Sequence, residues 1–350
     1  MKMKKVVGLV LVVAMFMVLL AGCSQNASSS GSSPSEQKSQ QTGKKEPIVL
    51  KLAVESAVGT PGEVSGQDFK KMVEEKTNGE VMIDYYPVGQ LGTGDDLTEL
   101  LQTGSVDMSW RAIDWYSKFE PGWNILSMGF LFRDQEHLNM FLTSSKNEEF
   151  KANIVNKAGL RVLADNGVAA PRVVISKKPI NTPEDMKGIN MRVPEIEMYL
   201  KTWTGVGVNA VSVPWGEAYM ALQQGTVDAL ESPLGSIYGM KFHEAAKYIT
   251  MTNHIYSPYV MVINEKSYNK LTEEQKTIIR ESAFETGKLF SKYDSESADI
   301  KVQEMMNQGV TINKTPDIAA FQAKMESVVE KSEKDRLWPE GLYDYVQSLK

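Results

Sequence analysis

One arginine in this sequence has neighbours that restrict what it can do. Arg192 follows the short apolar run Ile189-Asn190-Met191 and precedes Val193-Pro194. A proline there ends a strand and forces an extended or turning exit. The guanidinium is then set at a strand end, where open α/β sheets take their ligands. A planar, permanently charged fork fits a carboxylate through two parallel hydrogen bonds. The chemistry expected is capture of an organic anion. Catalysis has little to work with. His137, His243 and His254 lack metal-ligand spacing to any partner, and Gly-x-Ser-x-Gly, Walker and dinucleotide-binding fingerprints are missing. His243 falls in a helix-like run over 239–248 and His254 near a crossover, both with structural roles expected. Asp95-Asp96 reads as a charged helix start rather than a metal site. No cofactor and no metal are expected.

The elements that must position Arg192 follow an α/β rhythm. Residues 48–54 read as a strand, 68–76 as a helix closed by Asn78-Gly79, and 81–86 as a second strand stopped by Pro87. A helix over 95–103 then ends at Gly104, with a strand starting from Val106. This order predicts sheets covered by helices. The run from Leu100 to Met108, Leu-Leu-Gln-Thr-Gly-Ser-Val-Asp-Met, is echoed from Ala221 to Ala229 as Ala-Leu-Gln-Gln-Gly-Thr-Val-Asp-Ala. Either this is a common helix-to-strand turn, or two similarly built lobes each deliver a strand end to a shared cleft. Arg111 and Glu55 sit at the carboxyl ends of two first-half strands and are candidate ligand contacts. Trp215, after Pro214, is a candidate wall for the ligand, with Tyr238 and Tyr259 as further rings whose commoner role is packing. Residues 272–292 open with a capping arrangement, Thr-Glu-Glu-Gln, and 299–306 extend the pattern into a helix long enough to span two lobes.

The amino terminus indicates where this happens. Lys2, Lys4 and Lys5 lead into an apolar run over 6–20 and then Leu20-Ala21-Gly22-Cys23. That is the layout of an export signal, and the run is shorter than the roughly 20 residues a spanning helix needs. Leu-Ala-Gly-Cys resembles a lipobox, which implies cleavage after residue 22 and lipidation of Cys23, the single cysteine of the chain. Residues 23–47, rich in Ser, Gln, Gly and Lys, read as a flexible tether. Loss of the three signal lysines takes the formal charge from −6 to −9. No basic stripe appears, so nucleic-acid binding is excluded as a function class.

Taken in order, a set of motifs resembles the extracytoplasmic solute-binding proteins of tripartite ATP-independent periplasmic (TRAP) transporters, of the C4-dicarboxylate-receptor type. They include Gly89-Gln90-Leu91-Gly92, Phe130-Leu131-Phe132-Arg133-Asp134, Ser176-Lys177-Lys178-Pro179-Ile180 and Thr182-Pro183-Glu184-Asp185-Met186-Lys187-Gly188. Arg192-Val193-Pro194, Pro214-Trp215-Gly216-Glu217-Ala218-Tyr219, Lys241-Phe242-His243-Glu244 and Thr252-Asn253-His254 complete it. The resemblance implies a two-lobed, periplasmic-binding-protein-like α/β fold, with the ligand between the lobes and a long C-terminal helix spanning both. The lobes expected are 48–169 with 258–297, and 170–257 with 298–350, hinged near 169–171 and 257–258. It also implies that Arg192 pairs with the ligand carboxylate and that Arg172 approaches the same anion. Many relatives carry Glu-Asn-Pro where this chain has Glu231-Ser232-Pro233, so Glu231 and Ser232 join the candidate contacts, with Ser232 offering only a hydroxyl. Arg192, Arg172 and Arg111 would hold either more than one carboxylate, or one carboxylate with hydroxyls that donate to Glu55. The implied partners are a small organic acid and the membrane subunits of a TRAP permease, with a lipid anchor on the extracytoplasmic side. A lipoprotein receptor for an ATP-driven importer is the alternative.

Overall fold

A computed structural model of the chain describes residues 46–350. The expected signal peptide, Cys23 and nearly all of the expected tether lie outside the described residues. The strands are β1 (Ile48–Val54), β2 (Val81–Tyr86), β3 (Met108–Ala112), β4 (Leu160–Gly167), β5 (Val173–Ser176), β6 (Asn190–Val193), β7 (Asn209–Ser212), β8 (Ala229–Ser232), β9 (Tyr248–Thr250), β10 (Tyr259–Asn264) and β11 (Thr311–Asn313). They form two sheets, one ordered β2-β1-β3-β10-β4 and the other β11-β9-β5-β8-β6-β7. Helices α1 (Pro61–Lys76), α2 (Gly94–Thr103), α3 (Gln135–Leu142) and α4 (Ser145–Ala158) belong to the first lobe. In the second lobe come α5 (Glu197–Val206), α6 (Ala218–Gln224), α7 (Leu234–Gly239) and α8 (Phe242–Ala245). After them follow α9 (Glu265–Tyr268), α10 (Glu273–Asn307), α11 (Ile318–Ala323), α12 (Met325–Lys334) and α13 (Leu342–Ser348).

The lobes exchange strands. β1 runs parallel to β2 and β3, whereas β10, reached only after the second lobe, inserts antiparallel between β3 and β4. In the second sheet β6 runs parallel to β7 and β8, and β5, arriving from the first lobe, pairs antiparallel with β8. The two crossing segments, 168–172 and 251–258, hydrogen-bond to each other: Arg172 N–H donates to Ile255 O at 2.8 Å, and His254 N–H to Arg172 O at 3.2 Å. α10 fastens the first crossing, since Ser291 Oγ accepts from Val168 N at 2.9 Å and Asp294 Oδ2 from Ala170 N at 2.8 Å.

The internal echo has a structural counterpart. Gly104 and Gly225 both end helices at φ 83°, a left-handed conformation that glycine adopts without steric penalty. Each turn then delivers an aspartate that caps the neighbouring parallel strand. Asp107 Oδ2 accepts from Lys51 N at 2.9 Å, and Asp228 Oδ2 from Asn190 N at 3.1 Å. β1 and β3 in one lobe, and β6 and β8 in the other, therefore carry their carboxyl ends to the cleft by the same local device.

Several elements depart from the sequence expectation. α1 begins at Pro61, a full two turns before residue 68, because its first turns carry Gly62, Ser65 and Gly66 and so show no apolar period. The helix-like run over 239–248 is broken by Lys241 at φ 58°, which separates α7 from α8 before β9 begins. The chain's last helix, expected in the second lobe, returns to the first. There Val346 O meets His137 Nε2 at 2.8 Å, and Leu349 O accepts from Arg133 at 2.8 Å. This return is stabilised by apolar burial, as Phe321, Trp338 and Val346 enter one continuous cluster with Trp123, Phe141 and Trp203.

Candidate functional site

The strand ends converge on a cavity between the lobes enclosing about 820 Å³ of space outside protein atoms, open solvent included. Arg192, Arg172, Arg111, Glu55, Ser232 and Trp215 all line it. The lobes also touch at its edge. Gly239 of α7 approaches Thr60 before α1 so closely that an added Cβ would lie 2.5 Å from the threonine methyl.

Arg192 ends β6 and is 2 % exposed. Its Nε donates to Val213 O at 2.9 Å and its guanidinium lies 5.5 Å from the centroid of the Trp215 ring. Its terminal nitrogens have no protein partner among the described residues. Burial pushes its pKa down to about 10, partly relieved by Glu231 and further lowered by Arg172. Burying a cation without a counter-ion is expensive, and here the cavity is where compensation must come from.

Arg172, in the first crossing, is different. Glu231 holds it in a bidentate pair, Nε to Oε2 and Nη2 to Oε1 at 2.7 Å, and its guanidinium lies 5.1 Å from the Tyr199 ring centroid. Burial opposes both charges, yet the pairing dominates: Arg172 is more basic than a free arginine and Glu231 is lowered to about 2. Glu231 is fully buried on β8 and does not line the cavity, so it stands behind Arg172 as its counter-ion. His254 completes the cluster. Its Nε2 lies 3.2 Å from Glu231 Oε2 and its Nδ1 2.8 Å from Thr252 Oγ1. Burial keeps its pKa below the ordinary value, and the neutral ring then donates from Nε2 and accepts from the threonine hydroxyl at Nδ1.

The first lobe contributes a second polar group. Arg111 ends β3, is 2 % exposed, and donates from Nη1 to Gly94 O at 3.0 Å. Its Nη2 lies 3.1 Å from Glu55 Oε1, an ion pair too poorly aligned to count as a hydrogen bond, and its Nε also lacks a partner. Burial raises the Glu55 pKa, opposed by Arg111 and by the Gly94 N–H that donates to it at 2.9 Å.

Among the lining groups that escaped the sequence reading, Asp114, Tyr199 and Ser257 are joined by hydrogen bonds. Asp114 lies three residues beyond Arg111 and is 3 % exposed. Its Oδ2 accepts from the Tyr199 hydroxyl of α5 at 2.7 Å and from the Ser257 hydroxyl at 3.1 Å. The available signal was an acidic residue inside the apolar run Trp110-Arg111-Ala112-Ile113-Asp114-Trp115-Tyr116. For Tyr199 and Ser257 no local signal exists. Tyr238, by contrast, turns away from the cavity and stacks on His243 at 5.4 Å. Its helix neighbours Ser236 and Met240 line the cavity instead, being spaced to share the opposite face. Tyr259 lines the cavity but is chiefly a packing residue, stacked on Phe290 at 4.5 Å. Among the described residues no cluster of His, Cys, Asp and Glu is arranged to hold a metal, and no helix is long and apolar enough to cross a membrane.

Comparison with known proteins finds likeness in both sequence and fold. The family model described as bacterial extracellular solute-binding protein, family 7 (DctP) matches residues 54–335. The 2,3-diketo-L-gulonate-binding periplasmic protein YiaO of Escherichia coli is 29% identical over 274 residues, covering 78% of this chain and 83% of that protein. A TRAP periplasmic solute binding protein from Ochrobacterium anthropi, solved with bound L-fuconate, superposes with a TM-score of 0.80 at 31% identity, covering 86% of this chain and 99% of the other. One from Roseobacter denitrificans, with bound β-D-glucuronate, gives a TM-score of 0.82 at 26% identity over 86% and 100% of the two chains.

Proposed function

We propose, from the premise that this chain belongs to the DctP family of bacterial extracellular solute-binding proteins, that its interlobe cavity closes on an organic acid whose carboxylate pairs with Arg192. The chain is a TRAP-type solute-binding protein, and its kin are receptors, which points away from catalysis. The matched relatives give no support to the ATP-driven importer. The observation that carries the ligand assignment is a buried guanidinium lining the cavity with no carboxylate in ion-pair contact among the described residues. A ligand carboxylate supplies that counter-ion with bidentate geometry. Arg172, already neutralised by Glu231, contributes its remaining donor capacity and shape rather than net charge. Ser232 offers a hydroxyl, and Trp215 an apolar wall beneath the anion. The relatives' ligands include sugar acids, which supports the organic-acid class.

Closure follows from the placement of these groups. Arg192 belongs to one lobe and Arg111 to the other, so a ligand touching both favours the form in which both are near. The loaded receptor then docks on the TRAP permease subunits in the membrane. Lipidation at Cys23 with the tether behind it would hold the receptor at the outer membrane surface it serves. Replacement of Cys23 by alanine should release the chain into the soluble fraction and abolish fatty-acid labelling; persistent labelling would sink the anchor.

The test of the ligand assignment is calorimetric. After a thermal-shift screen of organic acids, the tightest binder should lose at least about thirtyfold in affinity on Arg192→Ala, as truncation of one partner of a buried charge pair does. Full affinity in that variant would refute the assignment. Bound acid should be recovered unchanged and in stoichiometric amount.

A further inference from the structure

The cavity carries a second, differently charged end. The groups lining it and their immediate partners include three guanidiniums, Arg111, Arg172 and Arg192, and three carboxylates, Glu55, Glu231 and Asp114. Two ion pairs account for four of them, Arg172 with Glu231 and Arg111 with Glu55 at 3.1 Å. Among the described residues, Arg192 and Asp114 are left without an ion-pair partner. Arg192 requires one anionic group from the ligand. On the first-lobe side, Asp114 Oδ1 is buried with no hydrogen-bond partner, and so are Nε and Nη2 of Arg111, three residues before it. Unmet buried polar atoms of this kind are rare and destabilising.

These orphans are of opposite kind. Asp114 is an acceptor that needs a donor; Arg111 is a donor that needs an acceptor. A second ligand carboxylate would satisfy Arg111 but place a like charge against Asp114. An ammonium group would satisfy Asp114 but offers no acceptor to Arg111 and adds a cation beside one. Hydroxyl groups both donate and accept, and so satisfy both without adding charge.

Resting on the organic-acid reading above, we infer that Asp114 is a specificity-determining residue, and that the ligand is a hydroxylated monocarboxylic acid whose hydroxyls donate to Asp114 and accept from Arg111. The same carboxylate receives the Tyr199 hydroxyl from the other lobe at 2.7 Å, so the group that reads the ligand's hydroxylated end also joins the two lobes.

The experiment uses matched acids on the purified full-length chain by titration calorimetry. A six-carbon set is hexanoate, D-gluconate, D-glucarate and 6-aminohexanoate; a four-carbon set is butanoate, D-threonate, succinate and 4-aminobutanoate. The hydroxylated monocarboxylate should bind at least about tenfold tighter than the other members of its set, the scale of one hydrogen bond to a charged group. Asp114→Asn keeps the shape and an acceptor for Tyr199, so the fold survives, while its amide can donate to a second carboxylate. In that variant, and in Asp114→Ala, the preference over the diacid should fall about tenfold or reverse. Tightest binding of a diacid, amino acid or plain acid overturns the inference. So does an unchanged preference in both variants, or no binding of either hydroxylated probe. An acid held through Arg192 with no hydroxyl preference overturns this inference alone, whereas binding that survives Arg192→Ala overturns the organic-acid reading beneath it.

Discussion

Two arginines with the same side chain meet opposite electrostatic conditions in this cavity. Arg172, partly buried, is neutralised by a fully buried Glu231, whereas Arg192, the more deeply buried of the two, has Val213 O as its hydrogen-bonding neighbour and a cavity in front of it. The Arg172–Glu231 pair is a support, and Arg192 is the group proposed to receive the anion. Removing the support has a calculable consequence. Glu231→Ala leaves Arg172 buried and unpaired, a change that costs about 3–5 kcal/mol in comparable sites, to be read from denaturant unfolding. Its pH signature is equally specific. The folded pKa of Glu231, about 2, lies below its ordinary 4.5. Its stabilisation is therefore fully present above about pH 4.5 and is lost as the pH falls toward 2. Glu231→Gln should flatten the stability profile in that window; an unchanged acid limb would show that the pair is not what holds the crossing.

Elements hold the site through a few tight contacts. α10 starts with a capping box, Thr272 with Gln275, and then passes β4 at Gly287, where a Cβ would lie 2.2 Å from Asn166 Oδ1. An added methyl there displaces the Asn166 side chain, whose Nδ2 donates to Phe284 O of α10 at 2.9 Å. Gly287→Ala should destabilise by about 1–3 kcal/mol, as overpacking does, and Asn166→Ala should recover part of the loss. Equal melting temperatures for wild type and Gly287→Ala would mean that the helix sits further from the sheet. The paired aspartates after Gly104 and Gly225 belong to this scale too, because each accepts from a backbone N–H of the neighbouring parallel strand, Lys51 within β1 and Asn190 at the start of β6.

At the scale of the whole molecule the question is what favours the closed form. The Tyr199–Asp114 hydrogen bond joins lobes that are also linked by the two crossing segments, α10, the C-terminal helices and direct contacts such as Gly129 N–H donating to Thr202 Oγ1 at 3.3 Å. Tyr199→Phe removes that bond and leaves the ring in place. A hydrogen bond to a charged group contributes about 1.5–3 kcal/mol, so the open population should rise and apparent ligand affinity should drop roughly tenfold or more. Small-angle scattering should find the unliganded variant more expanded than wild type, with the two converging at saturating ligand. Identical scattering and affinity would relieve Tyr199 of any part in closure.

Much of this was legible in the chain because it is encoded locally. The proline after β6, the glycines ending α2 and α6, the capping residues of α10 and the ordered motifs each act within a few residues, so type and spacing suffice to read them. Arg192 as a strand-end guanidinium is of that kind. The two-lobed fold followed from the order of motifs. The tertiary structure alone decided which charges were already spent. Arg172 and Glu231 stand 59 residues apart, and Asp114 and Tyr199 are 85 apart. Whether an arginine is a support or a receptor depends on the carboxylate that folding brings within reach. Tyr238 turned away because Ser236 and Met240 occupy the face that meets the cavity, and Asp114 entered the site because its partners come from the other lobe and the crossing. Charge compensation is a long-range property of burial, and no spacing along the chain reports it.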